Sequence, residues 1–428
     1  MLIISAYLSI TLFLLSADLL YVDIAGNKIK IGYFFLLGLW CFNPAEMWAT
    51  AMGAVRRVPN YVLLPLIPLV IAVATSGNYQ KSVWWTLWLA FDLFTIATVY
   101  AFLRAQRLAI DQVQEAVAHS LALIALFGVI QFVFIYGLGR PVFDPQIHLD
   151  VYRLNGLSKW PHFLNIFSFL LLPMVVTQKA LSIPTKVILI VLIFVLAQST
   201  AKTGWVLLIA LGAFLLVFER RFLLRKYLLL LIPAVAIALF VPFHSLEGQQ
   251  PPLSGAQKIA RFSHDFMNSW SVRDRVLINA MGLKVWLKHP WFGVGPKAYD
   301  TYVFSRFDQE LAGENKYDVE DKLNARNENI WIEFLAECGA VFTLAFLAVL
   351  IRALWVRRWS FANPLHLGAW IALVLYYAIS GQVSQTGLLT MVYAVFGIYF
   401  YAREVTEPGA LREAAPSPMV PEVPAAKK

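Results

Sequence analysis

Apolar stretches of membrane length recur along almost the whole chain, and that repetition restricts the fold class before any single residue does. About twelve can be read, near 2–22, 32–50, 61–76, 83–103, 114–138, 163–178, 185–200, 203–219, 227–243, 330–351, 364–383 and 386–402. Roughly 20 apolar residues cross a bilayer core as a helix. Within lipid a helix is the open-ended element that satisfies its own backbone polar groups. The expectation is therefore an all-α polytopic membrane protein of about twelve transmembrane helices. Charged residues make up 14% of the chain, against roughly a quarter in soluble globular proteins, so there are too few side chains to clothe a soluble surface. The first stretch, "MLIISAYLSITLFLLSADLLYV", lacks a basic start and a small-residue cleavage pattern. It is expected to stay as the first helix.

The net charge of +9 is not a nucleic-acid footprint, because of where the basic residues fall. They cluster in every second connection: Arg56 with Arg57, Arg104 with Arg107, Lys179 with Lys186, then Arg220, Arg221, Arg225 and Lys226, and Arg352 with Arg357 and Arg358. Connections rich in Lys and Arg stay in the cytoplasm, which puts both termini inside. The connection 139–162, the break at 200–203, the long polar segment 244–329 and the turn near 380–387 are then outside. Four regions follow: membrane helices over 1–243, an outer loop containing helices over 244–329, membrane helices over 330–402, and a Pro/Ala-rich cytoplasmic tail over 403–428, expected to be disordered. A carrier built from two six-helix halves would have its long connection central and inside, so this layout argues against transport. Cys41 and Cys338 both lie in apolar context, which implies no disulfide framework. No residues have metal-ligand spacing, and neither metal nor cofactor is expected.

Side chains that could carry chemistry concentrate around the outer segment. From Val272 to Lys288 there is no proline and one glycine, so a helix is predicted, ended by His289-Pro290. It is apolar enough to pack on the membrane domain or lie at the interface. Arg273 and Arg275 at its start are open to two readings. One is headgroup contact or pairing with Asp274 or Asp265. The other is a diphosphate, whose oxygens a guanidinium matches with paired donors. "GVGP" over 293–296 lacks the Lys-Ser/Thr of a phosphate loop and reads as a turn. Lys202 interrupts an apolar run, and a cation at membrane depth costs roughly 2.5–3.5 kcal/mol; it faces a cavity or snorkels at a helix hairpin. Arg153 stands in an outer loop returning to the membrane. Glu328 and Asn329 directly precede the tenth span, where a carboxylate either complements the helix dipole or acts in the site.

In this order, the residues resemble the O-antigen ligase and polysaccharide polymerase (Wzy-type) superfamily of bacterial inner-membrane glycan-assembly proteins. The resemblance rests on Arg275 followed by "HPWFGVG" over 289–295, and on "ENIWIEFLAECG" over 328–339. "RLNGLSKWPHFL" from Arg153 and "STAKTGW" around Lys202 add looser support. It implies a multi-pass inner-membrane protein whose large loop is periplasmic. It further implies metal-independent, inverting glycosyl transfer from an undecaprenyl-diphosphate-linked glycan donor to a carrier-linked acceptor. Flippase, chain-length and export proteins are the expected partners, alongside membrane lipids. Carried over by position, Arg275 and Lys202 hold the diphosphate with Arg153 as a third cation. Arg273, His289 and Asn329 complete the substrate-binding set, and Glu328 stands where the family's acceptor-activating His is found. Lys202 departs from the usual Arg and loses the bidentate fork. The carboxylate at 328 can still deprotonate a sugar hydroxyl, but its departure from a ligase hallmark favours a polymerase of exopolysaccharide, capsule or O-antigen. The alternatives are a ligase acting on lipid A core or protein and, outside the resemblance, a membrane transporter.

Overall fold

The computed structural model describes residues 2–24, 27–56, 63–143, 146–148, 151–158, 270–306, 329–356 and 386–406, with single positions between 167 and 195. The spans expected at 203–219, 227–243 and 364–383, the break at 200–203 and the tail from 407 lie outside the described residues. Among the described residues the architecture is helical with two small β-hairpins. Three helical stretches among the described residues are long and apolar enough, by length and composition, to cross a membrane: Tyr79–Ala105, Ile110–Gly137 and Ile330–Val349.

The first expected span is shorter than its apolar run. Helix α1 covers Leu2–Ser16, and the chain then turns into an antiparallel hairpin, β1 (Tyr21–Ile24) on β2 (Asn27–Lys30), with Tyr21 opposite Lys30. An ion pair between Asp18 and Lys30 closes its base. The second expected span is interrupted. Helix α2 (Ile31–Gly38) tightens into a single 3₁₀ turn at Leu39–Cys41, and α3 (Pro44–Arg56) starts afresh. Proline has no N–H to continue a helix but suits its first position. Asn43 marks the new start, accepting from Glu46 N at 3.3 Å while its Nδ2 donates to the Glu46 carboxylate at 2.8 Å. After α4 (Leu66–Ala74), Asn78 caps α5 (Tyr79–Ala105). A turn containing Arg107 leads into α6 (Ile110–Phe132), which ends in a π-helical turn, Val133–Gly137. Beyond α6 a second hairpin pairs β3 (Gln146–His148) with β4 (Val151–Arg153).

The main core joins α1, α2, α5 and α6 with the last helix, α10 (Thr386–Thr406), around Leu12, Phe102, Val117, Ile398 and Tyr399. Helix α10 runs along α5 in the same direction. Thr390 donates to Asp92 at 2.6 Å, Gly397 lies against Ile96 and Val99, and Glu404 pairs with Arg104. Asp92 sits midway along α5 and is fully buried. Thr390 supplies the donor its position demands, since a buried polar group without a partner is costly.

The tenth expected span is not one rod. Helix α9 (Ile330–Val356) contains Gly339 at φ 77° and ψ 176°, outside helical geometry. On a straight helix, residues 334 and 346 would be about 18 Å apart along the axis and residues 331 and 346 about 22 Å. Their rings instead meet at 5.3 Å and 6.4 Å. The chain therefore folds back at Gly339 into a nine-residue first arm, 330–338, and a second arm, 340–356. Phe334 packs between Phe342 and Phe346 across the fold.

Candidate active site

Folding α9 back creates two helix ends in the interior, each with backbone groups that lack intrahelical partners. The segment following α7 (Trp270–Lys288) satisfies both. The predicted helix from Val272 is present and stops at Lys288 as expected. From there, Val294 N donates to Ala336 O at 3.0 Å and Gly295 N to Glu337 O at 2.8 Å, closing the C-terminus of the first arm. In return, Ala340 N donates to Pro290 O at 2.8 Å and Val341 N to Trp291 O at 3.3 Å, closing the N-terminus of the second arm. Glu337, buried, adds its side chain by accepting from Lys297 N at 2.9 Å. The two strongest motifs in the sequence are thus the two halves of one backbone interlock.

This approach leaves no room for side chains at its crossing points. A Cβ on Gly293 would stand 2.4 Å from Glu337 O, and one on Gly339 would stand 2.2 Å from Trp291 O. Both obstacles are backbone, so neither can swing aside. The reading of "GVGP" as a turn holds. Gly293, Val294, Gly295 and Lys297 all donate their N–H groups within the protein, which leaves no amide cradle for phosphate.

The interlock is fastened to the start of α5. Gly77 N donates to Val294 O at 3.3 Å, and the Ser82 hydroxyl donates to Pro296 O at 2.5 Å. Lys81 reaches Asp300 at 3.1 Å on α8 (Tyr299–Arg306). Tyr299 donates to Ile278 O at 3.1 Å, tying α8 back to α7. Burial, with the Glu337 charge adding to it, holds the Tyr299 hydroxyl above the ordinary phenol range, so it stays a neutral donor. Met281, Val285, Val294, Tyr299, Val303 and Ala336 form the small core beneath.

Each residue singled out by sequence now has a place or lies beyond the described residues. Arg273 and Arg275 are on the first turns of α7. His289 Nε2 is 2.9 Å from the Tyr302 hydroxyl, with the rings edge to face at 5.0 Å, so the imidazole helps bind α8 to the end of α7. Asn329 is the N-cap of α9: its Oδ1 accepts from Trp331 N at 3.0 Å and Ile332 N at 3.4 Å. Arg153 is the last residue of β4. Glu328 and Lys202 lie outside the described residues, Glu328 immediately before the cap. Since α5 and α6 are antiparallel across a short turn, the end of α6 and the start of α5 share one end of the bundle. The β3–β4 hairpin and the interlock therefore stand at that same end. Sequence reading missed Glu337 and Ser82, whose signal is only a carboxylate two residues before Gly339 and a serine one turn into α5. Among the described residues no group of His, Cys, Asp and Glu could hold a metal.

Residues 187–347 match the family model described as O-antigen ligase, a span holding every candidate above except Arg153. No curated protein matches the chain.

Proposed function

We propose, from the match of residues 187–347 to the O-antigen ligase family model, that the chain is a membrane glycan-assembly protein and, within that class, a polysaccharide polymerase. Its substrates are oligosaccharide repeat units carried on undecaprenyl diphosphate at the periplasmic face of the inner membrane. The Glu328 carboxylate takes the proton from an acceptor sugar hydroxyl, and the freed oxygen attacks the donor's anomeric carbon from the face opposite the leaving group. The bond from that carbon to the phosphate oxygen breaks, and the carrier diphosphate leaves with the electron pair. Arg275 and Lys202 stabilise the charge that develops there, and Arg153 binds the diphosphate equally before and at the transition state. Stereochemistry at the anomeric carbon inverts, and the reading uses side-chain cations where other transferases use a metal.

The observation that carries this reading is the interlock between the segment 290–297 and the break at Gly339. It joins the segment that follows the helix of Arg273 and Arg275 to the arm that begins at Ile330, which supports reading the two motifs as parts of one site. Holding reacting groups in register is itself a large part of catalysis. A carboxylate in place of the ligase histidine favours polymerisation over ligation. Purified protein in lipid nanodiscs, given carrier-linked repeat units alone, is expected to yield a ladder of products on a gel. A protein that leaves those units unjoined but transfers preformed polymer to a lipid A core acceptor is a ligase, and the polymerase reading falls.

A further inference from the structure

We propose that Gln131, at the end of α6, is the positioning residue for an outer arm that presents Arg153 to the donor diphosphate; this rests on the reading of Arg153 given above. Arg153 ends a strand of three residues, paired among the described residues with another of three. A two-stranded ribbon that short is marginal in water on its own, so its place must be held from its base.

Gln131 is fully buried and grips both legs of the loop at that base. Its Nε2 donates to Val142 O at 3.1 Å, before the hairpin, and to Asn155 Oδ1 at 2.6 Å, after it. Its Oε1 accepts from Asn155 N at 2.8 Å and from Gly156 N at 2.8 Å. Two donors and two acceptors exhaust what a primary amide can make. Arg153 is two residues from Asn155, so the clasp sets where β4 leaves the membrane domain. A second tie holds the same leg to α1. Asn155 Nδ2 donates to Ser158 O at 2.7 Å, the Ser158 hydroxyl to Ser16 O at 2.7 Å, and Leu19 N to Leu157 O at 3.0 Å. An apolar side chain at 131 would leave the Asn155 and Gly156 N–H groups and the Val142 carbonyl without this partner. An amide that meets four partners instead specifies one geometry of the arm.

The test uses full-length protein in nanodiscs and carrier-linked repeat units, with Gln131→Met, Arg153→Ala and the double variant. Met is close in size and makes none of the four bonds. The expected result is a rise of about tenfold in donor KM for each single variant, kcat held within about twofold, and no further loss in the double variant. Losses that multiply in the double variant, or a Gln131→Met enzyme with unchanged KM, overturn the proposal. Ser158→Ala removes the side-chain bond that ties the leg to Ser16 of α1 and leaves the clasp whole, and it serves if Gln131→Met does not fold. It should raise KM in the same direction, and an unchanged value overturns the proposal. Glu328→Gln runs alongside. If it elongates normally, the assignment of Glu328 as base is what fails. If it is inactive while Arg153→Ala keeps the normal KM, only the arm falls.

Discussion

Gly339 and Gly293 are required by close approach of two backbones, and no chemical property of a side chain is involved. Alanine at 339 meets a carbonyl oxygen at 2.2 Å and must also adopt φ 77°. Neither obstacle can rotate away, so Gly339→Ala is expected to cost about 3 kcal/mol or more. It should appear as a sharply lower unfolding temperature in detergent and as poor recovery of monodisperse protein. Glu337→Ala removes the acceptor for Lys297 N, for an expected loss of about 1–3 kcal/mol. Glu337→Gln keeps that acceptor and should unfold close to wild type. The same thermal scan separates the two. Glu337 was visible in the sequence only as part of a family motif, because nothing about a carboxylate in "LAECG" says that it faces a backbone amide forty residues earlier.

At the scale of elements, α9 is where periodic apolarity misleads. Its residues are apolar throughout, so hydropathy reads one span over 330–351, and only the ring contacts of Trp331 and Phe334 with Phe346 show the fold-back. Cysteines at 334 and 346 in a Cys-free background should crosslink under mild oxidation and keep the two arms together. A continuous helix would hold them about 18 Å apart, beyond any disulfide. The helix at 272–288 was legible for the opposite reason: its length, its lack of proline and its His-Pro stop are all local signals. The α5–α10 seam carries a buried polar contact between Thr390 and Asp92. Thr390→Val would leave a fully buried oxygen of Asp92 without its donor. The expected loss is about 1–3 kcal/mol, measured as thermal unfolding in lipid, whereas Thr390→Ser should be near neutral.

Across the whole molecule, four described parts gather at one end of the helix bundle. The segment after α7, the cap at Asn329, the start of α5 and the arm ending in Arg153 all stand there. Glu328→Gln and Arg275→Ala are both expected to yield only single repeat units in cells, with normal amounts of protein in the membrane. Full-length polymer from both variants would remove those residues from the mechanism. The membrane class, the helix ending at Lys288, the turn at Gly293–Pro296 and the order of the motifs followed from sequence alone, because each depends on composition or on neighbours along the chain. Which motif holds which did not. The interlock of Pro290–Gly295 with Ala336–Val341 and the Gln131 clasp join groups far apart in sequence through hydrogen bonds. A backbone N–H or a side-chain amide looks the same in a sequence whatever its partner, so only the tertiary fold could decide those pairings.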